Sequence, residues 1–436
     1  MYPDRFIDML QDSLGPQRAR CVLEHLDDEP SVSVRLNPAK CDMATLRMHF
    51  GECADIPVPW SPDGLYLKSR PSFTFDPSFH AGAYYVQEAS SMWVGHLVGE
   101  MVAQCGGSPL RALDLCAAPG GKTTDILSRL PEGSLLVANE VIRQRASVLA
   151  ENAAKWGHAE TVVTNDDPAD FGRLTGTFDL VVVDAPCSGE GMFRKDQQAV
   201  SEWSEDNVKL CAARQRRIVS DIWGSLRHGG WMIYSTCTFN RFEDELNARW
   251  ICDELGAELI EERHFLPGMD RGEGFYAALL RKDGDEAATV RRMRVKPVKS
   301  PASALVREGF ILQQKGDMIK AYPAELAEEM LFIESSLRPI HSGVAVATVK
   351  GRDIVPEADL ALSLIIAEDA FPKVALSRED AIKFLAKEPL AFSNAPKGHL
   401  AVTFDGLNLG FVKNLGNRAN NLHPAARRIR SGHCNL

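Results

Sequence analysis

Two cysteines stand at matched places in this chain, in Asp184-Ala185-Pro186-Cys187-Ser188-Gly189 and in Tyr234-Ser235-Thr236-Cys237-Thr238. Each follows an apolar run that reads as a buried strand, Phe178 to Asp184 and Trp231 to Thr236. Neighbouring strands lie about 4.8 Å apart, and open α/β sheets bind ligands at the carboxyl ends of their strands. Cys187 and Cys237 are therefore expected to face one cleft. Either alone reads as a buried small hydrophobe. A redox disulfide is a further reading, although no C-x-x-C supports it. The chemistry that suits the pair is methylation of a pyrimidine at carbon 5. That carbon is a poor nucleophile until a thiolate adds at carbon 6 and makes it enamine-like. Asp184 is placed to assist at N3, and a second thiol can help the final elimination.

The methyl donor needs its own site. Cys116-Ala117-Ala118-Pro119-Gly120-Gly121-Lys122-Thr123 follows the strand Ala112 to Leu115 and opens a helix at Thr123. Small residues there let a ligand approach the backbone, and the N–H groups of a helix start favour polar or anionic groups. Gly121-Lys122-Thr123 imitates the end of a phosphate-binding G-x-x-x-x-G-K-[ST] loop, with Asp184 as its distal acid. Its first glycine, however, is replaced by Cys116. The alternative ligand carries a ribose diol. Glu140 ends the next strand, about 20 residues after the turn, where a carboxylate can accept both hydroxyls. Asp167, or Asp166 beside it, follows the third strand and can meet an adenine amino group. That set suits S-adenosylmethionine or a dinucleotide.

The elements that position these residues alternate strand and helix from 111 to 282. Runs at 112–115, 135–140, 161–164, 178–184 and 231–236 predict a parallel sheet. Runs near 257–260 and 274–280 predict an edge hairpin. Residues 1–80 mix helical and strand-like patterns, with Arg35-Leu36-Asn37-Pro38 leaving an alternating strand, and 81–105 read as a helix. Residues 284–300, with the basic Arg291, Arg292 and Arg294, predict a linker, and 301–436 a further unit. The expected division is thus 1–80, 81–283, 284–300 and 301–436.

At 436 residues the chain has room for about three domains. With 45 % apolar and 25 % charged residues, disorder as the dominant state is excluded. There is no run of about 18 apolar residues to cross a membrane and no signal-like N-terminus. Ten scattered cysteines (21, 41, 53, 105, 116, 187, 211, 237, 252 and 434) give no zinc or disulfide framework. A cytoplasmic protein without a metal is the expectation. The net charge of −10 argues at face value against a nucleic-acid partner. Residues 1–105, however, carry 8 Lys+Arg against 14 Asp+Glu, whereas 413–433 carry five basic residues and no acid. A basic grip on an acidic body is therefore open.

Through Leu113 to Thr123, Ala138-Asn139-Glu140, Asp184 to Asp196 and Tyr234 to Thr238, the chain resembles the Sun-type family of RNA cytosine-5 methyltransferases. Gly82 to Met92 resembles that family's lead-in helix and Arg35-Leu36-Asn37 its N-terminal substrate region. Gly410 to Lys413, Asn420 to Pro424 and Arg427-Arg428 resemble the PUA-like tail of the bacterial 16S ribosomal RNA methyltransferases of the RsmF group. The resemblance implies an α/β fold: a Rossmann-like S-adenosylmethionine-dependent core, an N-terminal α+β region and a C-terminal PUA-like RNA-binding domain. It implies Cys237 as nucleophile, Cys187 as release thiol, and Lys122 at the target base. It implies that Cys116, Ala117, Ala118, Pro119, Gly120, Gly121, Lys122, Glu140, Asp167 and Asp184 hold S-adenosyl-L-methionine. Arg35, Lys413, Arg427 and Arg428 are expected on RNA, with Arg430 beside them. The expected partner is 16S ribosomal RNA or the 30S subunit, met by a monomer; transfer RNA is an alternative target. A P-loop-like NTPase and a non-catalytic RNA-binding module are the readings from other classes.

Overall fold

The computed structural model describes residues 2–430, so Cys434 and the end of the basic tail lie outside the described residues. An eight-stranded sheet carries the fold. Its strands are β1 (Arg111–Asp114), β2 (Leu135–Asn139), β3 (Thr161–Thr164), β4 (Phe178–Asp184), β5 (Leu226–Thr236), β6 (Ala257–Phe265), β7 (Phe275–Lys282) and β8 (Pro339–Ser342). The order is β6-β7-β5-β4-β1-β2-β3-β8. β1 to β5 pair in parallel, and β6, β7 and β8 run antiparallel to their neighbours.

Alternation along each strand feeds two cores. Leu113, Val137, Val181, Val183, Met232 and Tyr234 face the helices Glu205–Trp223, Glu245–Leu255 and Ala327–Ser336. Ala112, Leu136, Leu180, Val182 and Ile233 face Trp93–Gln104, Gly121–Arg129 and Trp156. Strand order reverses between β4 and β1, the switch point where a ligand crevice opens.

The helix expected from residue 81 begins only at Trp93. Gly82 sits at φ +76°, and a Cβ there would collide with the Lys155 carbonyl oxygen. Tyr84–Val86 then leaves as a strand paired antiparallel with Val34–Leu36. It completes a four-stranded N-terminal sheet with Gly64–Leu67 and Ala54–Pro57. Strand pairing wins over the helical spacing because it supplies these backbone groups with partners. Residues 284–300 form no helix or strand but lie strapped to the body. Thr289 N donates to Gly176 O (2.6 Å), Met293 N to Glu328 O (2.8 Å), and Arg291 Nη1 to Thr177 Oγ1 (3.1 Å). Beyond them, two further four-stranded sheets form, from strands between 310 and 356 and between 373 and 421. β8 leaves the first of these regions to extend the central sheet at β3.

Candidate active site

The glycine-rich loop descends from β1 and ends at Gly120, whose φ of +113° sets the left-handed turn before the helix Gly121–Arg129. Arg145 and Asn152 take up its outer carbonyls, donating to Ala118 O and Pro119 O at 2.8 Å each. Opposite the loop, Gly121 lies against Tyr85, where a Cβ would stand 3.4 Å from the ring. A cavity of about 180 Å3 lies between Cys116–Pro119, Gly121, Lys122 and Asp184 on one side and Tyr85–Glu88 and Ser91 on the other. Glu140 and Asp167 do not line it; they stand at the neighbouring strand ends.

Carboxylates gather behind this loop. Asp114 is fully buried, its Oδ2 accepts from Thr123 Oγ1 at 2.6 Å, and its Oδ1 has no partner. Burial first, then Asp184 and Glu140, push its carboxyl up to about 7. Burial and the same three carboxylates push the Cys116 thiol up, so Cys116 is no nucleophile. Glu140 Oε1 accepts from Ile142 N at 2.8 Å, and its Oε2 lies 3.3 Å from Arg145. Asp166 is engaged elsewhere: Arg338 N and Nε donate to its two oxygens at 2.9 and 3.0 Å. Asp167 uses Oδ1 to cap Ala169 N (3.1 Å) and is half-buried beside the crevice.

At the ends of β4 and β5 the two sulfurs meet. Cys187 Sγ and Cys237 Sγ are 3.2 Å apart. Contact with Cys237, then burial, push the Cys187 thiol well up. Beside them Lys122 Nζ donates to Asp184 Oδ2 at 2.8 Å, and Ser235 Oγ donates to Oδ1 at 2.9 Å. Burial opposes the Lys122 ammonium, but Asp184 and then Cys237 outweigh it and raise its pKa. The sequence-predicted Cys187, Cys237, Lys122, Asp184 and glycine loop therefore converge.

Residues that sequence reasoning passed over lock this geometry. Glu190, 1 % exposed, accepts from Thr238 Oγ1 (2.7 Å), Phe239 N (2.9 Å) and Trp203 Nε1 (2.8 Å), tying one cysteine loop to the other. Gly191 N donates to Cys237 O at 2.9 Å, and a Cβ on Gly191 would lie 2.5 Å from Gly274 O. Glu243 accepts from Ser188 N (3.0 Å), Gln215 Nε2 (2.7 Å) and Asn240 Nδ2 (2.8 Å). Burial raises its pKa to about 6. The available signal was position: Glu190-Gly191 directly follows the Cys187 turn, and Glu243 lies six residues after Cys237.

One expectation is corrected. Arg35, placed on RNA by resemblance, is fully buried. Its guanidinium donates to Gln87 Oε1 (2.8 Å), Thr124 Oγ1 (2.6 Å) and Gly121 O (3.2 Å). It faces Asp125 at 3.6 Å and the Trp156 ring at 4.7 Å. It pins the N-terminal sheet to the glycine-loop helix and has no path to a phosphate. In the tail, Lys413 pairs with Asp353 (3.4 Å) and Arg427 with Asp359 (2.8 Å), while Arg428 and Arg430 are exposed.

Three family models match the chain: the N-terminal domain of 16S rRNA methyltransferase RsmF over residues 2–89, 16S rRNA methyltransferase RsmB/F over 109–281, and the methyltransferase RsmF PUA domain over 371–429. Among curated proteins, the chain is 30 % identical to ribosomal RNA small subunit methyltransferase F of Citrobacter koseri, covering 90 % of this chain and 89 % of that one. It is 32 % identical to the protein of the same name from Pectobacterium atrosepticum, covering 84 % and 83 %. Among solved structures, a methyltransferase homologue from Pyrococcus horikoshii matches with a TM-score of 0.56 and 25 % identity, over 64 % of this chain and 95 % of that one. NSun6 from Pyrococcus horikoshii with SFG matches in fold with a TM-score of 0.55 at 19 % identity, over 65 % and 99 %.

Proposed function

This chain belongs to the RsmF-type family of 16S rRNA methyltransferases, and from that premise we propose that it methylates carbon 5 of a cytosine in 16S ribosomal RNA, with Cys237 as nucleophile and Cys187 as the releasing group. The observation that carries this reading is the 3.2 Å contact of the two sulfurs beside the Lys122–Asp184 pair, at the mouth of the glycine loop.

The residues present fit S-adenosylmethionine. The buried Asp114 Oδ1 has no partner, and Glu140 and Asp184 stand near it, an acid-rich setting that suits a cationic sulfonium. Glu140, held at the end of β2, would take the ribose hydroxyls, Asp167 the adenine amine, and residues 116–122 the remaining polar groups. When bound, the cofactor supplies an electrophilic methyl group.

The chain's own groups do the rest. The target cytosine must be turned out of any stack to reach the sulfurs. The Cys237 thiol gives its proton to solvent, its Sγ forms a bond to carbon 6, and the π pair of the carbon 5–carbon 6 bond moves to carbon 5, which accepts the methyl group. Asp184 accepts from Lys122 and Ser235, so Lys122 is the pair's donor toward the base. Asp184 is then an acceptor for the exocyclic amine rather than a proton source for N3. Next the carbon 5 proton passes to a base, carbon 5 regains its double bond to carbon 6, and the Cys237–carbon 6 bond breaks. Cys187 Sγ, 3.2 Å from Cys237 Sγ, is the group placed beside the adduct. Once its own proton has passed to solvent, its thiolate takes the carbon 5 proton.

The PUA-like region and the exposed Arg428 and Arg430 are proposed to hold RNA backbone, and the protein to act in the cytoplasm as a monomer on 16S RNA or the 30S subunit. Among the described residues, no helix is long and apolar enough to cross a membrane. The test is transfer of labelled methyl from S-adenosylmethionine to unmodified 16S RNA and to 30S subunits, with the product mapped by bisulfite sequencing. A single new 5-methylcytosine supports the reading. Protein that binds either RNA form and transfers nothing overturns it in favour of a binding module.

A further inference from the structure

On the outer side of the β5 end, one residue before Cys237, lies a cluster that the reaction does not use. Asp244 and Glu245 open the helix Glu245–Leu255, and His264 stands on β6, packed under the Tyr276 ring with centroids 4.7 Å apart. Asp244 is fully buried; the side chains of His264 and Glu245 are 9 % and 25 % exposed. Each has one satisfied atom. Thr236 Oγ1 donates to Asp244 Oδ1, and His264 Nε2 meets Glu245 Oε1 at 3.0 Å. Each also has one buried atom with no partner: Asp244 Oδ2, Glu245 Oε2 and His264 Nδ1.

Unpartnered buried polar atoms are costly singly, and three in one place call for a ligand. His264 Nδ1 and Asp244 Oδ2 are 3.9 Å apart, too far for a hydrogen bond. Two tetrahedral ligands of a single ion, bound at about 2.0–2.2 Å each, stand about 3.3–3.6 Å apart, so a shift of a few tenths of an ångström brings these two atoms onto one ion. One ligand atom from each of the three residues lies within 4.8 Å of the other two. A single imidazole and two carboxylates suit borderline first-row ions better than soft ions or the all-oxygen cages of calcium and magnesium.

We propose that Asp244, Glu245 and His264 bind one divalent first-row metal ion, with Zn2+ favoured over Mn2+. The ion joins the start of the helix Glu245–Leu255 to the edge strand β6. Through Thr236 it braces the end of β5 that presents Cys237. It is a structural clamp, away from the reacting atoms, and independent of which RNA is methylated.

The test uses the full-length protein stripped with a chelator and titrated with Mn2+, followed by the electron paramagnetic resonance signal of free ion. Mn2+ has little preference for thiolates, so the cysteine pair does not compete. One tight Mn2+ per chain is expected, displaced by Zn2+, with a rise in melting temperature on addition of either ion. Asp244→Asn and His264→Gln should each lose the bound ion while Cys187→Ser keeps it. The wild-type titration alone decides if a variant fails to fold. Absence of a stoichiometric Mn2+ site, or a site that persists in both ligand variants, overturns the proposal.

Discussion

Replacing Arg35 with methionine separates a structural arginine from an RNA-binding one. The side chain fills a closed space between Gln87, Thr124, Gly121 and the Trp156 ring, and it faces the fully buried Asp125. Methionine keeps much of the volume but strands Asp125, whose remaining cation, Arg129, is 3.4 Å from its other oxygen. Breaking a buried pair by removing one partner costs about 3–5 kcal/mol. With a urea slope of about 2 kcal/mol per molar, the transition that exposes the N-terminal sheet should fall by about 1.5–2.5 M. Asp125→Asn in the Arg35→Met background should recover part of that loss, because it removes the stranded charge. Cofactor affinity should fall too, since Arg35 holds the first turn of the glycine-loop helix. Refutation would be an unmoved urea midpoint together with RNA affinity lowered uniformly and a salt slope reduced by about one. That outcome would mean Arg35 reaches phosphate.

Three further outcomes follow from the same geometry. Gly191→Ala places a methyl group 2.5 Å from Gly274 O and 3.0 Å from Cys237 O; displacing Cys237 by about 1 Å should lower kcat about a hundredfold, and the buried backbone clash should lower the melting temperature as well. The Asp114 carboxyl, pushed up to about 7, must ionise to favour a cationic ligand. Binding such a ligand then releases a proton, so calorimetric affinity for S-adenosylmethionine should rise by about tenfold in all between pH 6 and 8, while neutral S-adenosylhomocysteine shows no slope and Asp114→Asn removes it. In the tail, Arg428→Ala and Arg430→Ala should each reduce the salt slope of RNA binding by about one, and Arg427→Ala by less, because Asp359 already engages Arg427.

The central sheet was legible because its signals are local. Runs such as Leu180-Val181-Val182-Val183 and the turns that follow them name both the strand and the residue at its end. Cys187, Cys237, Lys122 and Asp184 were legible for the same reason: the topology brings strand ends together. What escaped depends on partners distant in sequence. Arg35 sits on an alternating strand that looks half-exposed until Thr124 and Asp125, about ninety residues later, close over it. The choice between Asp166 and Asp167 turns on Arg338, which occupies Asp166 from 172 residues away. Residues 81–92 read as helix because their apolar spacing is helical, but Gly82 and the vacant edge at Val34–Leu36 draw Tyr84–Val86 into a strand. β8 was invisible as part of the central sheet, since nothing in Pro339–Ser342 identifies β3 as its partner.

The proposed reaction rests on a division of labour between two sulfurs 3.2 Å apart. The most direct test incubates Cys187→Ala and Cys237→Ala proteins with S-adenosylmethionine and unmodified 16S RNA, then separates the mixture under denaturing conditions. Cys187→Ala should accumulate a covalent protein–RNA adduct carrying the methyl group, because the release step has lost its base, and Cys237→Ala should give neither adduct nor methylated RNA. Methylated RNA from Cys237→Ala, or an adduct that forms on it through Cys187, would contradict the assignment.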